Sequence, residues 1–450
     1  MGIINGKVNK IIMNDIKIER PINPAYCATV VEIKNIIPLA GCDNVVGTNI
    51  YGYQAIVSKD TKIGDIGIVF TAETQLSDEF CRMNNLYRHT TFNLDKGAKG
   101  YIEDNRRIKA IKFRGHTSNC LFMPLTSLAY IPETLGNTLK VGSEFDFIGD
   151  HEICRKYVIY TKAMGASYKP EEAGFIRVEK KYMPEHVSSS NYFKYKDMFA
   201  KGDEVVVTQK LHGTSVRIGH IIVHPEPSLK TKITNWILRK IGYSVYNDEY
   251  DYVYGSRKVI KDINNPNQNH YYESDIWTKK GKEFDGMIPK GYILFGEIIG
   301  WTEGGSPIQK GYTYNLPRGE SQVYIYRVAH VNIDGVLVDL SWEQVKEFCN
   351  HSGFKHVPEL WKGKVQKFDA DKYMNIRYFE EGYKNCVKLG TDESIVDEGV
   401  CIRKEGLIPT IMKAKCSKFL EHETKILDEG TADLESVGSE EELIINPNIA

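Results

Sequence analysis

Residues 205–217 read VVVTQKLHGTSVR. Val205, Val206, Val207 and Thr208 form a β-branched run that predicts a buried strand, and Gly213 supplies a tight turn soon after it. Lys210 stands between the two, so its amine projects from a strand end into a pocket. Burial and neighbouring positive charge lower the pKa of such a lysine, and the neutral amine can attack a carbonyl or a phosphorus. Outward from this lysine, strands and helices alternate irregularly from Asp203 to about Glu423, an α+β pattern.

The whole chain has 450 residues, 42% of them hydrophobic and 26% charged, with a formal net charge of −1. That length accommodates two or three domains. A near-neutral chain gives no global electrostatic case for nucleic acid, so any such surface must be a local patch. Nine cysteines are scattered without a Cys-x-x-Cys pair, which argues against a zinc ribbon and points to a reducing, cytoplasmic setting. Neither a signal peptide nor a membrane span is expected, so no membrane partner is anticipated.

Between about Pro24 and Asp150 the text CATVVEIKNI, GYQAIVSK, GIVFTA, RIKAIKFRG, CLFMPL and EFDFIG reads as short strands separated by turn residues. Five or so strands, with Arg106, Arg107, Lys109, Lys112 and Arg114 on one of them, predict an OB-like β-barrel with a basic face. The connector that follows is rich in Lys, Tyr, Pro and Ser, including Tyr168 to Glu172 and the run SSSNYF. Expected boundaries are a barrel over 1–150, a connector over 151–201, a second domain over 202–426 and an acidic tail over 427–450.

Four further patterns follow Lys210 in order. Arg257 comes after a strand and turn, where its fork can grip a phosphate or a sugar hydroxyl. Glu297 is the single acid in the apolar strand Tyr292 to Gly300, and a buried carboxylate needs partners. Glu398, followed by Gly399 and Val400, stands at the mouth of another apolar strand. Lys413 and Lys415 share one face of a strand because side chains alternate with period two, which suggests an anion between them. The insertion Pro225 to Tyr243 carries Lys230, Lys232, Arg239 and Lys240 around Trp236. It reads as a basic helix on a phosphate backbone or as an amphipathic helix packed on the domain.

Taken together, KLHG, SR, FGE, EGV and KxK resemble the covalent nucleotidyltransferase superfamily of ligases and capping enzymes. DNA ligases and capping enzymes are similar in using Lys-x-Asp-Gly-x-Arg, where this chain has His212 and Ser215 in place of the aspartate and arginine. The flanking text Arg177 to His186 (RVEKKYMPEH), Pro307 to Tyr312 and Lys418 to Glu423 is similar to the fifth RNA ligase family, with its N-terminal OB domain and ATP-grasp-like adenylation domain. That resemblance implies an ATP-dependent RNA ligase, the alternatives being a DNA ligase or capping enzyme within the same superfamily and, outside it, a non-catalytic RNA-binding relic. It implies Lys210 as the AMP-accepting nucleophile and Lys413 and Lys415 on the α-phosphate. Gln209, His212, Gly213, Arg257, Glu297, Tyr326, Glu398 and Val400 are implied around the nucleotide. Gln209 would meet the adenine edge, where a glutamate is common, and Tyr326 would stack on the base beside Arg327, where an acid is frequent. Glu398 and Glu297 are implied on Mg²⁺ or Mn²⁺, or Glu398 as an orienter of Lys210. The expected substrate is RNA or an RNA-containing nicked duplex, and the expected state is a monomer.

Overall fold

A computed structural model describes residues 18–134, 139–158, 177–186, 189–225, 228–238, 248–263 and 272–430. The chain forms two compact units. One comprises Met1–Ile159 with Leu420–Gly430, the other Tyr160–Phe419 with Thr431–Ala450. The expected connector centre at 168–172 and most of the acidic tail lie outside the described residues. Residues 420–430, anticipated partly in the transferase, return to the first unit.

In the first unit the main sheet has six strands, in the spatial order Val45–Ile50, Tyr53–Ser58, Cys120–Pro124, Ile66–Thr71, Ala28–Glu32 and Glu144–Phe145. All pairings are antiparallel except that of Tyr53–Ser58 with Cys120–Pro124. Among the described residues this sheet is open, so the closed OB-like barrel is not what forms. Closure needs the two edge strands to pair along their length, and the last of them has only two residues.

The basic stretch Arg106 to Arg114 also differs from the expected exposed strand. Only Ile111–Phe113 is a strand, in a short hairpin with His116–Ser118. Arg107 is buried: its Nε and Nη2 donate to both oxygens of Glu73 at 2.8 Å, and its Nη1 donates to Asp428 at 2.9 Å. Lys109 pairs with Glu103 and Asp428, and Lys112 with Glu421. These acids come partly from the helix Ser417–Asp428, more than 300 residues on in sequence, and they pair with Arg107, Lys109 and Lys112.

The second unit contains two five-stranded sheets. One runs Ser190–Asn191, Thr410–Lys415, Gly399–Lys404, Glu204–Gln209, Glu359–Lys364; the other runs Glu249–Gly255, Thr214–Val223, Tyr292–Gly300, Ser321–Val331, Leu337–Asp339. Alternation divides the first sheet's faces. Val205, Val207, Val400, Ile402, Met412 and Ala414 pack into one core with Tyr192, Tyr373 and Tyr378, which leaves Thr208, Cys401, Arg403, Ile411 and Lys413 on the opposite face. No helix among the described residues is long and apolar enough to cross a membrane.

Removing one member of a buried charge pair leaves its partner uncompensated, which costs about 3–5 kcal/mol, whereas exposed pairs contribute about 0–1 kcal/mol. Arg107→Ala is therefore expected to lower the urea midpoint of the first unit sharply. Lys112→Ala, at a side chain 56% exposed, should leave it nearly unchanged. Urea titration followed by circular dichroism checks both, and equal small effects would contradict the assignment of Arg107 to the core.

Candidate active site

The strand Glu204–Gln209 delivers Lys210 to a pocket between the two sheets of the second unit. The amide of Lys210 still donates to the carbonyl of Gly399 at 3.0 Å, so the lysine extends the strand by one residue before the chain leaves for the other sheet. Gly399 has φ +142°, and a Cβ there would lie 1.9 Å from the Ala414 carbonyl oxygen. Only glycine permits that approach.

Behind the nucleophile candidate lies a charge cluster. Lys210 Nζ is 2.8 Å from Glu398 Oε1, Lys415 Nζ is 3.0 Å from the same oxygen, and His212 Nδ1 is 3.8 Å from Oε2. The Glu398 side chain is fully buried. Burial alone would raise its carboxyl pKa, but the charges of Lys210, Lys415 and His212 outweigh burial and hold it at about 2. The anion that the Lys-x-Lys pattern called for is thus, for Lys415, a carboxylate of the protein itself. His212 is fixed edge-on to Tyr312 and Phe419, with ring centroids 4.9 Å away in each case, and its amide donates to the Tyr314 hydroxyl at 2.6 Å.

Gly213 is needed for space rather than for a left-handed turn. A Cβ there would sit 2.1 Å from the Ile298 carbonyl oxygen. Its amide donates to Glu297 Oε1 at 3.0 Å and its carbonyl accepts from Gln309 Nε2 at 2.8 Å. The His-Gly step therefore crosses the second sheet closely enough to aim Glu297 at the pocket.

Gln209, Lys210, Arg257, Glu297, Tyr326 and Lys413 all line one cavity. Tyr326 arrives there through a bulge: Phe295 pairs with Arg327 and Gly296 with Ile325, so Tyr326 is the extra residue between them, and a bulge re-aims a side chain. Its hydroxyl lies 3.0 Å from Ser215 Oγ. Arg327 points elsewhere, paired with Asp339 and stacked over Phe295 at 4.5 Å. Gln209 also lines the cavity, but its amide is engaged within the fold. Nε2 donates to the Val387 carbonyl at 3.0 Å and to Asp397 at 2.7 Å, while Oε1 accepts from the Val387 amide at 2.7 Å. Burial raises the Asp397 carboxyl to about 6.

Val400, implied beside the nucleotide, instead packs in the core at 0% exposure. Its strand parity turns it away from the pocket, and its neighbours Cys401 and Arg403 face the cavity. His186, Ser189, Trp342, Val357 and Ile411 also line it. Of these, His186 closes the segment Arg177 to His186, and the resemblance implies no role for it. Burial and the nearby charges of Arg327, Arg257, Lys413 and Lys210 push its pKa down to about 3, so it is neutral at physiological pH. Trp342 begins the helix Trp342–Ser352, which Ser341 starts with a capping box.

The pocket thus combines Lys210, Arg257, Arg403 and Lys413 with an apolar wall that includes Tyr326, Trp342, Val357 and Ile411. Glu297 is the one carboxylate among the lining residues. No three His, Cys, Asp or Glu residues converge as a metal cage among the described residues. Such a lining fits a planar group joined to phosphates.

Residues 203–415 match the RNA ligase family model. Solved structures of a Naegleria gruberi RNA ligase have a similar fold. The form with pyrophosphate gives a TM-score of 0.56 at 16% identity, covering 88% of this chain and 98% of that one. A lysine-to-methionine variant with AMP and manganese gives 0.55 at 15% identity, and a lysine-to-alanine variant with ATP and manganese gives 0.54 at 14%, both with the same coverage. No curated protein matches the chain in sequence.

The depressed Glu398 pKa makes a signed prediction. Because the folded carboxyl ionises below its ordinary value of 4.5, its stabilisation is complete above that pH and is lost as pH falls toward 2. Glu398→Gln should destabilise the second unit at pH 7 by on the order of 3 kcal/mol. Denaturant titrations across this range should show the gap to the parent protein closing as the pH falls, and a gap independent of pH would refute the ion-pair account.

Proposed function

We propose that this chain, whose residues 203–415 match the RNA ligase family model, is an ATP-dependent ligase that seals RNA 5′-phosphate and 3′-hydroxyl ends through an adenylylated lysine. The observation that carries the reading is Lys210 at the pocket wall, 2.8 Å from a fully buried carboxylate. In the first step the Lys210 amine attacks the α-phosphorus of ATP, a nitrogen–phosphorus bond forms, and the bond to the leaving pyrophosphate breaks. AMP then passes to the 5′-phosphate end, and the 3′-hydroxyl displaces it as the strand is joined.

Glu398, 2.8 Å from the Lys210 amine, orients it, and the proton that the amine gives up before it attacks passes to solvent in the cavity. Lys415, on the same carboxylate oxygen, balances the buried charge and keeps Glu398 ionised. Lys413 and Arg257, both lining the cavity, neutralise the α-phosphate and contact the ribose or phosphates. Tyr326 and Trp342 offer faces for the base. Gln209, tied to Val387 and Asp397, holds the pocket wall in shape. The N. gruberi structures carry ATP or AMP with manganese. A divalent cation would enter with the triphosphate, and Glu297, the carboxylate of the lining, would be the residue to hold it. It would supply charge neutralisation at the phosphates. Glu398, spent on two lysines, is the less suitable ligand.

Incubation with α-labelled ATP and Mg²⁺ or Mn²⁺ should leave label on the protein, and Lys210→Ala should abolish it. Lys413→Ala should reduce labelling by about 10²-fold or more, the scale of losing one electrostatic contact in the transition state. Label from GTP in place of ATP would favour a capping-type enzyme. Sealing of matched nicks, with each strand side RNA or DNA in turn, should require RNA at the 3′-hydroxyl side, where the 2′-hydroxyl distinguishes the two. Equal sealing of all-DNA nicks would overturn that substrate assignment.

A further inference from the structure

The segment from Arg177 to His186 forms neither strand nor helix, yet it is anchored along its length on the sheet that contains Thr214–Val223. The Arg177 carbonyl accepts from the His224 amide at 2.8 Å, and the Tyr182 hydroxyl donates to the Ile333 carbonyl at 2.7 Å. Tyr182 and Met183 pack with Ile221, Val223, Ile293 and Phe295. Arg217, only 1% exposed, donates from Nη1 to the Met183 carbonyl and from Nε to the Ser256 carbonyl, both at 2.7 Å. One buried guanidinium thereby ties the end of this segment to the turn that carries Arg257.

The segment delivers His186 to the cavity wall. Its ring meets Tyr326 edge-on at 5.0 Å between centroids and lies tilted against Phe295 at 5.7 Å. Arg327, at the position where the resemblance implies an acid, places Nη1 3.5 Å from His186 Nδ1, while its Nε and Nη2 are held by the two oxygens of Asp339. A guanidinium can only donate, so Nδ1 is the unprotonated nitrogen. In a neutral ring the proton is then on Nε2.

We propose that His186 is a nucleotide-binding residue whose Nε2 donates a hydrogen bond to a phosphate oxygen of the bound nucleotide. The inference rests on the nucleotide reading of the cavity and deepens it. Arg257, Lys413 and Lys210 act electrostatically on this ring, and they are the cations assigned above to the phosphates and the attack, so the acceptor that comes nearest is anionic. A hydrogen bond to a charged acceptor is roughly twice as strong as one between neutral groups. A further cation at this place would be desolvated among like charges, whereas a neutral donor adds its bond without that repulsion. An acid at position 327 would instead draw the imidazole proton to Nδ1; the arginine leaves it for the ligand.

Calorimetric titration of the full chain with AMP and with adenosine tests the contact without turnover. His186→Leu should weaken AMP by about ten- to a hundredfold, the scale of a hydrogen bond to a charged group, and leave adenosine unchanged. His186→Gln, whose amide can donate from nearly the place of Nε2, should bind AMP within about threefold of the parent protein. Imidazole proton–nitrogen correlation spectra, with the His186 signals identified by their loss in His186→Gln, should show a neutral ring protonated on Nε2 at pH 7. Equal weakening of AMP and adenosine, a His186→Gln protein no better than His186→Leu, or a ring protonated on Nδ1 overturns the proposal. A parent protein that shows the AMP-specific loss on substitution yet takes no label from ATP supports the contact and counts against the ligase reading; one with no affinity for AMP overturns both.

Discussion

One buried carboxylate organises the second unit. Glu398 is enclosed completely, yet it stays ionised because two lysines from different strands reach the same oxygen. A buried charge without such partners would cost many kcal/mol or neutralise itself. The requirement runs in both directions: the lysines are held where the carboxylate needs them, and Lys210 is thereby fixed at the wall of the cavity. Gly399 and Gly213 follow from the same constraint, since a Cβ at either would collide with the backbone that brings these strands together.

Much of this was legible in the chain because it is written locally. A β-branched run ending in lysine, single acids in apolar strands and a Lys-x-Lys with period-two alternation each fix a side chain's face without knowledge of the partner. Lys210, Arg257, Glu297, Tyr326 and Lys413 meet in one pocket accordingly. Val400 was placed by motif rather than by parity, and parity governs: it faces the core while Cys401 and Arg403 face the cavity. His186 and Trp342 carried no local signal, because each enters the pocket from an element remote from the lysine strand.

Long-range pairing was the part that could not be read. Arg107, Lys109 and Lys112 look like a basic face until Asp428 and Glu421 arrive from the far end of the chain. Likewise a set of short strands does not reveal whether its edges will meet, and the first unit's sheet stays open among the described residues. Gln209 shows the same limit on a smaller scale, since its partners Val387 and Asp397 are 178 and 188 residues away.

Three lysines surround the proposed reaction centre, and of these Lys210 alone stands at the cavity wall at the end of the strand Glu204–Gln209 with its amine on Glu398. Tandem mass spectrometry of peptides from protein incubated with ATP and a divalent cation tests this most directly. The account predicts a single AMP adduct, joined through nitrogen, on the peptide that contains Lys210. An adduct on Lys413 or Lys415, or on any residue outside this pocket, would contradict it.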